Sequence, residues 1–169
     1  MKVTVSKILK TVGESLDFEV EGNLSLSDIY PDVREFLSPV KVKGTVTSQK
    51  DGFLVKGAGS VSVMMLCCRC LKPVPTEVHF ELEELFALTG KEQEKETETF
   101  SGDTICLDQV VERSILTALP MKVLCEDNCK GLCPQCGKDL NEGPCGCTVS
   151  NIDPRFEGLR ALFQLDKEV

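Results

Sequence analysis

Between residues 40 and 47, apolar and polar side chains alternate. Val40, Val42 and Val46 fall on one parity; Lys41, Lys43, Thr45 and Thr47 fall on the other. A period of two sends successive side chains to opposite faces, so this segment predicts a half-buried β-strand. Asp51-Gly52 follows where a hairpin turn is wanted, and Phe53-Leu54-Val55 carries the return strand. Residues 60–66 form another predicted strand that runs straight into Cys67. After a break at Pro73 and Pro75, Val78, Phe80 and Leu82 alternate with Glu77, His79, Glu81 and Glu83. Residues 17–21 alternate in the same way. Roughly five strands with short connections predict a curved antiparallel sheet or a partly open barrel.

The period then changes. Leu107, Val110, Val111, Ile115, Ala118 and Leu119 recur at helical spacing, with Asp108 opening the helix and Pro120 ending it. Between sheet and helix, residues 90–103 carry many charges and one large apolar residue, Phe100, and read as an acidic loop. Asp153-Pro154 predicts the start of a C-terminal helix whose Phe156, Leu159, Leu162 and Phe163 pack on the sheet or face a partner. The expected class is α+β. A β-rich domain spans residues 1–120, including helix 107–119, and a Cys-rich module with the C-terminal helix spans 121–169.

With 169 residues the chain can bury a real core. Its start has no apolar run of signal-peptide length, because lysines interrupt it, and no segment reaches the length that spans a bilayer. A cytoplasmic location is expected, with no membrane partner. There thiols stay reduced, and clustered pairs hold metal more often than they form bridges. The net charge of −8 excludes nucleic-acid binding through a bulk basic field. Eight thiolates holding two zinc ions would carry it to about −12.

Eight of the ten cysteines form four close pairs: Cys67/Cys70, Cys125/Cys129, Cys133/Cys136 and Cys145/Cys147. Gaps this short let one turn aim two sulfurs at one tetrahedral ion, so the expected cofactor is Zn²⁺, in two structural sites. Cys133-Pro134-Gln135-Cys136-Gly137 is a zinc knuckle, and Cys145-Gly146-Cys147 follows closely enough to share its ion. Cys67, Cys70, Cys125 and Cys129 make the second set; alternatively, Cys125 and Cys129 share a site with Cys133, leaving a rearranged or single-metal arrangement. Four thiolates leave no open coordination position for catalysis. An iron–sulfur cluster is the nearest metal alternative. Cys68 and Cys106 are left over and read as small buried or half-buried thiols.

No catalytic constellation is visible. His79 is the only histidine and lies on the polar parity of its strand, and no Gly-rich phosphate loop or Walker-type lysine occurs. The expectation is a protein that is not an enzyme and has no small-molecule substrate.

Cys67-Cys68-Arg69-Cys70-Leu71 at a strand end, Ala118-Leu119-Pro120 closing a helix, Cys129-Lys130-Gly131-Leu132-Cys133-Pro134-Gln135-Cys136-Gly137, and Asp153-Pro154-Arg155 before a helix together resemble the YceD family of bacteria. The resemblance implies a cytoplasmic accessory factor in ribosome biogenesis that promotes accumulation of large-subunit ribosomal RNA. It would act on the RNA precursor, a ribosomal protein, or both. Some members keep the first pair and lose most C-terminal cysteines. Arg69 and Lys72 are therefore better candidates for partner binding than the sulfurs, with Lys130 and Arg155 beside them. The bland reading of Arg69 is a local ion pair or a hydrogen bond to a carbonyl. Two other functions fit an acidic, cysteine-rich chain: a zinc-dependent thiol redox switch or chaperone, and a zinc-ribbon adaptor for another nucleoprotein complex.

Overall fold

The computed structural model describes residues 1–24, 33–88, 98–100 and 102–147. They fall into two units, Met1–Cys125 and Glu126–Val169.

The first unit is built around one long strand. In chain order its strands are β1 (Lys2–Thr4), β2 (Ser15–Gly22), β3 (Val33–Phe36), β4 (Val40–Ser48), β5 (Phe53–Leu66), β6 (Pro73–Leu88), β7 (Glu98–Phe100) and β8 (Thr104–Cys106), followed by helix α1 (Asp108–Ala118). β6 pairs antiparallel with the whole length of β5. On the other edge of β5, β4 takes Phe53–Ser60 and β3 takes Val63–Met65. The sheet runs β2-β4-β5-β6-β7, with β3 off this path, and β1 and β8 form a separate pair. Every pairing is antiparallel except β6 with β7. The architecture is therefore α+β with an open sheet; among the described residues it does not close into a barrel, and it has one helix.

The alternation expected for β4 is observed. Val40, Val42 and Val46 are fully buried, while Lys41 and Lys43 are exposed. On the outer face, direct cross-strand partners form ion pairs, Lys43 with Glu19 at 3.0 Å and Lys56 with Glu83 at 2.7 Å. Each such exposed pair contributes at most about 1 kcal/mol. The inner parity carries the energy. Val55, Val61, Val63, Val78, Phe80, Leu82 and Phe86 join Leu107, Val110, Val111 and Ile115 of the helix segment in one core. Burying each such aliphatic or aromatic side chain is worth about 1.5–3 kcal/mol.

Three expectations are corrected. Residues 53–55 and 60–66 belong to one strand, because Gly57 faces Gly44 directly across the β4–β5 ladder and does not interrupt it. Pro73 and Pro75 lie inside β6. They are tolerated because β7 reaches only Phe86–Leu88, which leaves residues 73–75 an edge among the described strands, where a missing N–H breaks no ladder. Part of the acidic loop, Glu98–Phe100, is strand β7. There the Phe100 ring meets Phe53 edge-on, with centroids 5.3 Å apart, and that burial outweighs the charged neighbourhood.

Asp108 opens α1 as expected and receives the amino group of Met1. Arg113 on the helix reaches Glu84 at 2.7 Å and Glu98 at 3.3 Å. The C-terminal helix expected from Asp153 onward lies outside the described residues, as does Arg155. Among the described residues, no helix is long and apolar enough to cross a membrane.

Candidate metal centres

β5 delivers Cys67 at its end, and the chain turns back at once into β6. The turn is closed by two backbone hydrogen bonds: Leu71 N–H donates to Cys67 O at 2.9 Å, and Cys67 N–H donates to Lys72 O at 2.8 Å. Cys70 is thereby folded back beside Cys67, and both are buried. Cys68 N–H donates to Val123 O at 2.9 Å, which holds the segment leading into Cys125 against the turn. Cys70 Sγ and Cys125 Sγ are 3.5 Å apart, and the three sulfurs of Cys67, Cys70 and Cys125 lie within 4.8 Å of one another. Backbone N–H groups of Cys70 first, then Arg69 and Cys125, point at the Cys67 sulfur and together pull its thiol down to about 6 against the opposing effect of burial.

The second unit repeats the same turn. Cys133 N–H donates to Lys138 O at 2.8 Å, and Gly137 N–H donates to Cys133 O at 2.9 Å. Gly137 sits at φ 72°, the left-handed conformation this turn requires after its second cysteine. Cys133, Cys136, Cys145 and Cys147 bring four sulfurs within 4.8 Å of one another. Here too the backbone N–H groups of the knuckle, Cys136 first, lower the Cys133 thiol to about 6. Cys147 is pushed up to about 12, chiefly by its hydrogen bond with Cys136 and then by burial. Four crowded sulfurs cannot all ionise without a cation among them, so one proton is held tightly.

These donor sets fit a zinc ion. Zn–S bonds of about 2.3 Å in a tetrahedron set sulfurs about 3.8 Å apart, a spacing these clusters allow. All donors are thiolates, which suits zinc or an iron–sulfur centre and excludes the hard cations.

Cys129, the remaining expected ligand, is buried in the second unit. Its N–H donates to Glu126 O at 3.1 Å, and its sulfur accepts from Asn141 Nδ2 at 3.4 Å. Asn141 also accepts from Lys130 N–H at 2.7 Å. Sequence reading missed Asn141; its only signal is a polar turn residue two positions after Asp139. Such outer partners orient a ligand and raise its affinity for metal.

Cys68 and Cys106 are both exposed, not buried or half-buried as expected. Cys68 is turned outward because its neighbours Cys67 and Cys70 take the inward positions of the knuckle. Cys106 ends edge strand β8, where its sulfur donates to Asp108 Oδ2 at 3.2 Å. Replacing both by serine is expected to leave zinc content unchanged and to shift stability by less than about 0.5 kcal/mol. Metal analysis and thermal melting of the double variant check this.

Arg69 and Lys72 are exposed on the first knuckle, and Lys130 is exposed in the second unit. His79 is exposed on the outer face of β6, as its parity requires, 3.7 Å from Glu77. The two knuckles differ at one position. Where the second has Gly137, the first has Leu71, at φ 60°. A leucine held there costs about 1–2 kcal/mol.

A family model described as large ribosomal RNA subunit accumulation protein YceD matches residues 55–163. An uncharacterized protein of Mycobacterium tuberculosis is 36% identical over 119 residues, covering 68% of this chain and 57% of that protein. The uncharacterized protein YlbN of Bacillus subtilis is 28% identical over 172 residues, covering 99% of both chains. The chain thus spans little more than half the length of the mycobacterial relative. No solved structure matches.

Proposed function

Because this chain belongs to the YceD family, we propose that it is a cytoplasmic, non-enzymatic accessory factor promoting accumulation of large-subunit ribosomal RNA, held in shape by two structural zinc ions. The observation that carries this reading is the family match over residues 55–163, a segment that contains both knuckles and all eight paired cysteines. Cys67, Cys70 and Cys125 hold one ion, with Cys129, buried four residues beyond Cys125, as the fourth thiolate. Cys133, Cys136, Cys145 and Cys147 hold the other. Closed tetrahedral sites support a scaffold role, because they offer no position for substrate. Contact with the RNA precursor or a ribosomal protein falls to the exposed Arg69 and Lys72 on the first knuckle, to the exposed Lys130 of the second unit, and to Arg155. The chain's charge of −8 supports local contact over a general attraction to RNA.

Deletion of the gene is expected to lower large-subunit relative to small-subunit ribosomal RNA. The wild-type gene restores the ratio, and a variant with Arg69 and Lys72 both replaced by alanine restores it less well while keeping its zinc. An unchanged ratio in the deletion strain removes the proposal.

A further inference from the structure

Three local irregularities of the first unit meet at one cleft. β3 carries a bulge: Val33 pairs with Met65 and Glu35 with Met64, so Arg34 is the extra residue between them. Bulges re-aim a side chain, and Arg34 lines the cleft. Leu71 is held in the left-handed conformation and is 57% exposed, so neither backbone preference nor burial accounts for a leucine there. Met121, after the helix-ending Pro120, is fully exposed at 105%. Arg34, Cys68, Leu71, Pro120 and Met121 are among the residues enclosing about 270 Å³.

We propose that this cleft is a docking site for a short segment of a partner protein that presents an apolar side chain next to a carboxylate. This rests on the reading of the chain as an accessory factor in ribosomal RNA accumulation and names the partner of the first knuckle. The volume is just below that of ordinary small-ligand pockets and suits one anchoring side chain. Two large aliphatic side chains left in water make a patch that protein contacts cover, and arginine and methionine are enriched in such interfaces. Among the described residues no carboxylate lines the cleft, and the guanidinium of Arg34 is complemented by an acid from the partner. RNA is the poorer occupant. Among the described residues no aromatic side chain lines the cleft for a base to stack on, and Arg34 is the one cation that lines it, in a chain of net charge −8.

The zinc-loaded full chain carrying a photocrosslinking Lys122→p-benzoylphenylalanine substitution is irradiated with two probes separately. One is the protein fraction of dissociated large ribosomal subunits; the other is deproteinised large-subunit RNA. The expected result is one defined ribosomal-protein adduct, reduced at least tenfold by Arg34→Ala and by Leu71→Gly, while Leu71→Gly melts no lower than the parent. Adducts mainly with RNA, no adduct with either probe, or a protein adduct insensitive to both substitutions overturns the proposal. A lower melting temperature for Leu71→Gly also counts against it, because the leucine is then structural. In deletion cells, full restoration of the RNA ratio by a chain with both substitutions sinks the cleft alone. Failure of the wild-type chain to alter that ratio sinks the functional reading beneath it.

Discussion

Replacing Cys136 by serine is expected to release one zinc ion and to unfold the backbone of residues 130–147, with the sheet of the first unit keeping its own cooperative transition. Among the described residues of the second unit, the buried apolar side chains are only Cys129 and Cys133. A segment with no aliphatic core cannot offset the conformational entropy of ordering its backbone, about 1–2 kcal/mol per residue. On the proposed function metal supplies that stabilisation, and structural zinc sites bind with about 10–16 kcal/mol at neutral pH. Serine cannot replace the thiolate as a soft donor, so loss of one ligand removes most of this. The first unit has its own valine- and phenylalanine-rich core and does not depend on that ion. Amide hydrogen exchange read by mass spectrometry checks the outcome: protection is lost in 130–147 and retained in β4, β5 and β6. Retention of protection throughout would show that the second unit is held by something other than metal.

Gly44→Ala is expected to destabilise the first unit by about 2–3 kcal/mol, the range of an overpacked core position. A Cβ at Gly44 would stand 2.2 Å from the Lys56 carbonyl oxygen and 2.7 Å from the Gly57 Cα. Both are backbone atoms, so no side chain can rotate away. The β4–β5 ladder must open where two glycines face each other, in the middle of the sheet. In a chain of this size, this corresponds to a melting temperature lower by roughly 4–12 °C. A shift under about 1 °C would mean that the two strands adjust freely at this point.

Features carried by local periodicity were legible in the sequence. The valines of β4, the Val78-Phe80-Leu82 parity of β6 and the apolar side of α1 each announce their buried face within a few residues. Features decided by distant partners were not. Residues 53–55 and 60–66 read as two strands until Gly57 is seen paired with Gly44 between them. Pro73 and Pro75 read as a break until residues 73–75 are seen to be an edge. β7 is hidden in a charged run because a single residue, Phe100, anchors it on Phe53. In the candidate site, short spacing pairs Cys133 with Cys136 and Cys145 with Cys147, whose four sulfurs lie within 4.8 Å of one another, whereas Cys70 and Cys125, distant in the chain, meet at 3.5 Å through the fold and not through spacing. The exposure of Cys68 and Cys106 was not legible, because the knuckle's inward positions and the β8 edge are tertiary facts. Arg34, Leu71 and Met121 were equally hidden, since a bulge, a positive φ and an exposed methionine leave no pattern in the chain.

Both knuckles share their backbone hydrogen bonds, and they differ most where Leu71 replaces glycine. On the proposed function the sulfurs account for shape, and the surface they fix accounts for contact. That division depends on metal actually occupying both thiolate sets. Native mass spectrometry of the chain, purified without added metal, tests it most directly. The expected result is two zinc ions per chain, falling to one in Cys136→Ser. A native chain carrying one zinc ion, none, or an iron–sulfur cluster would contradict it.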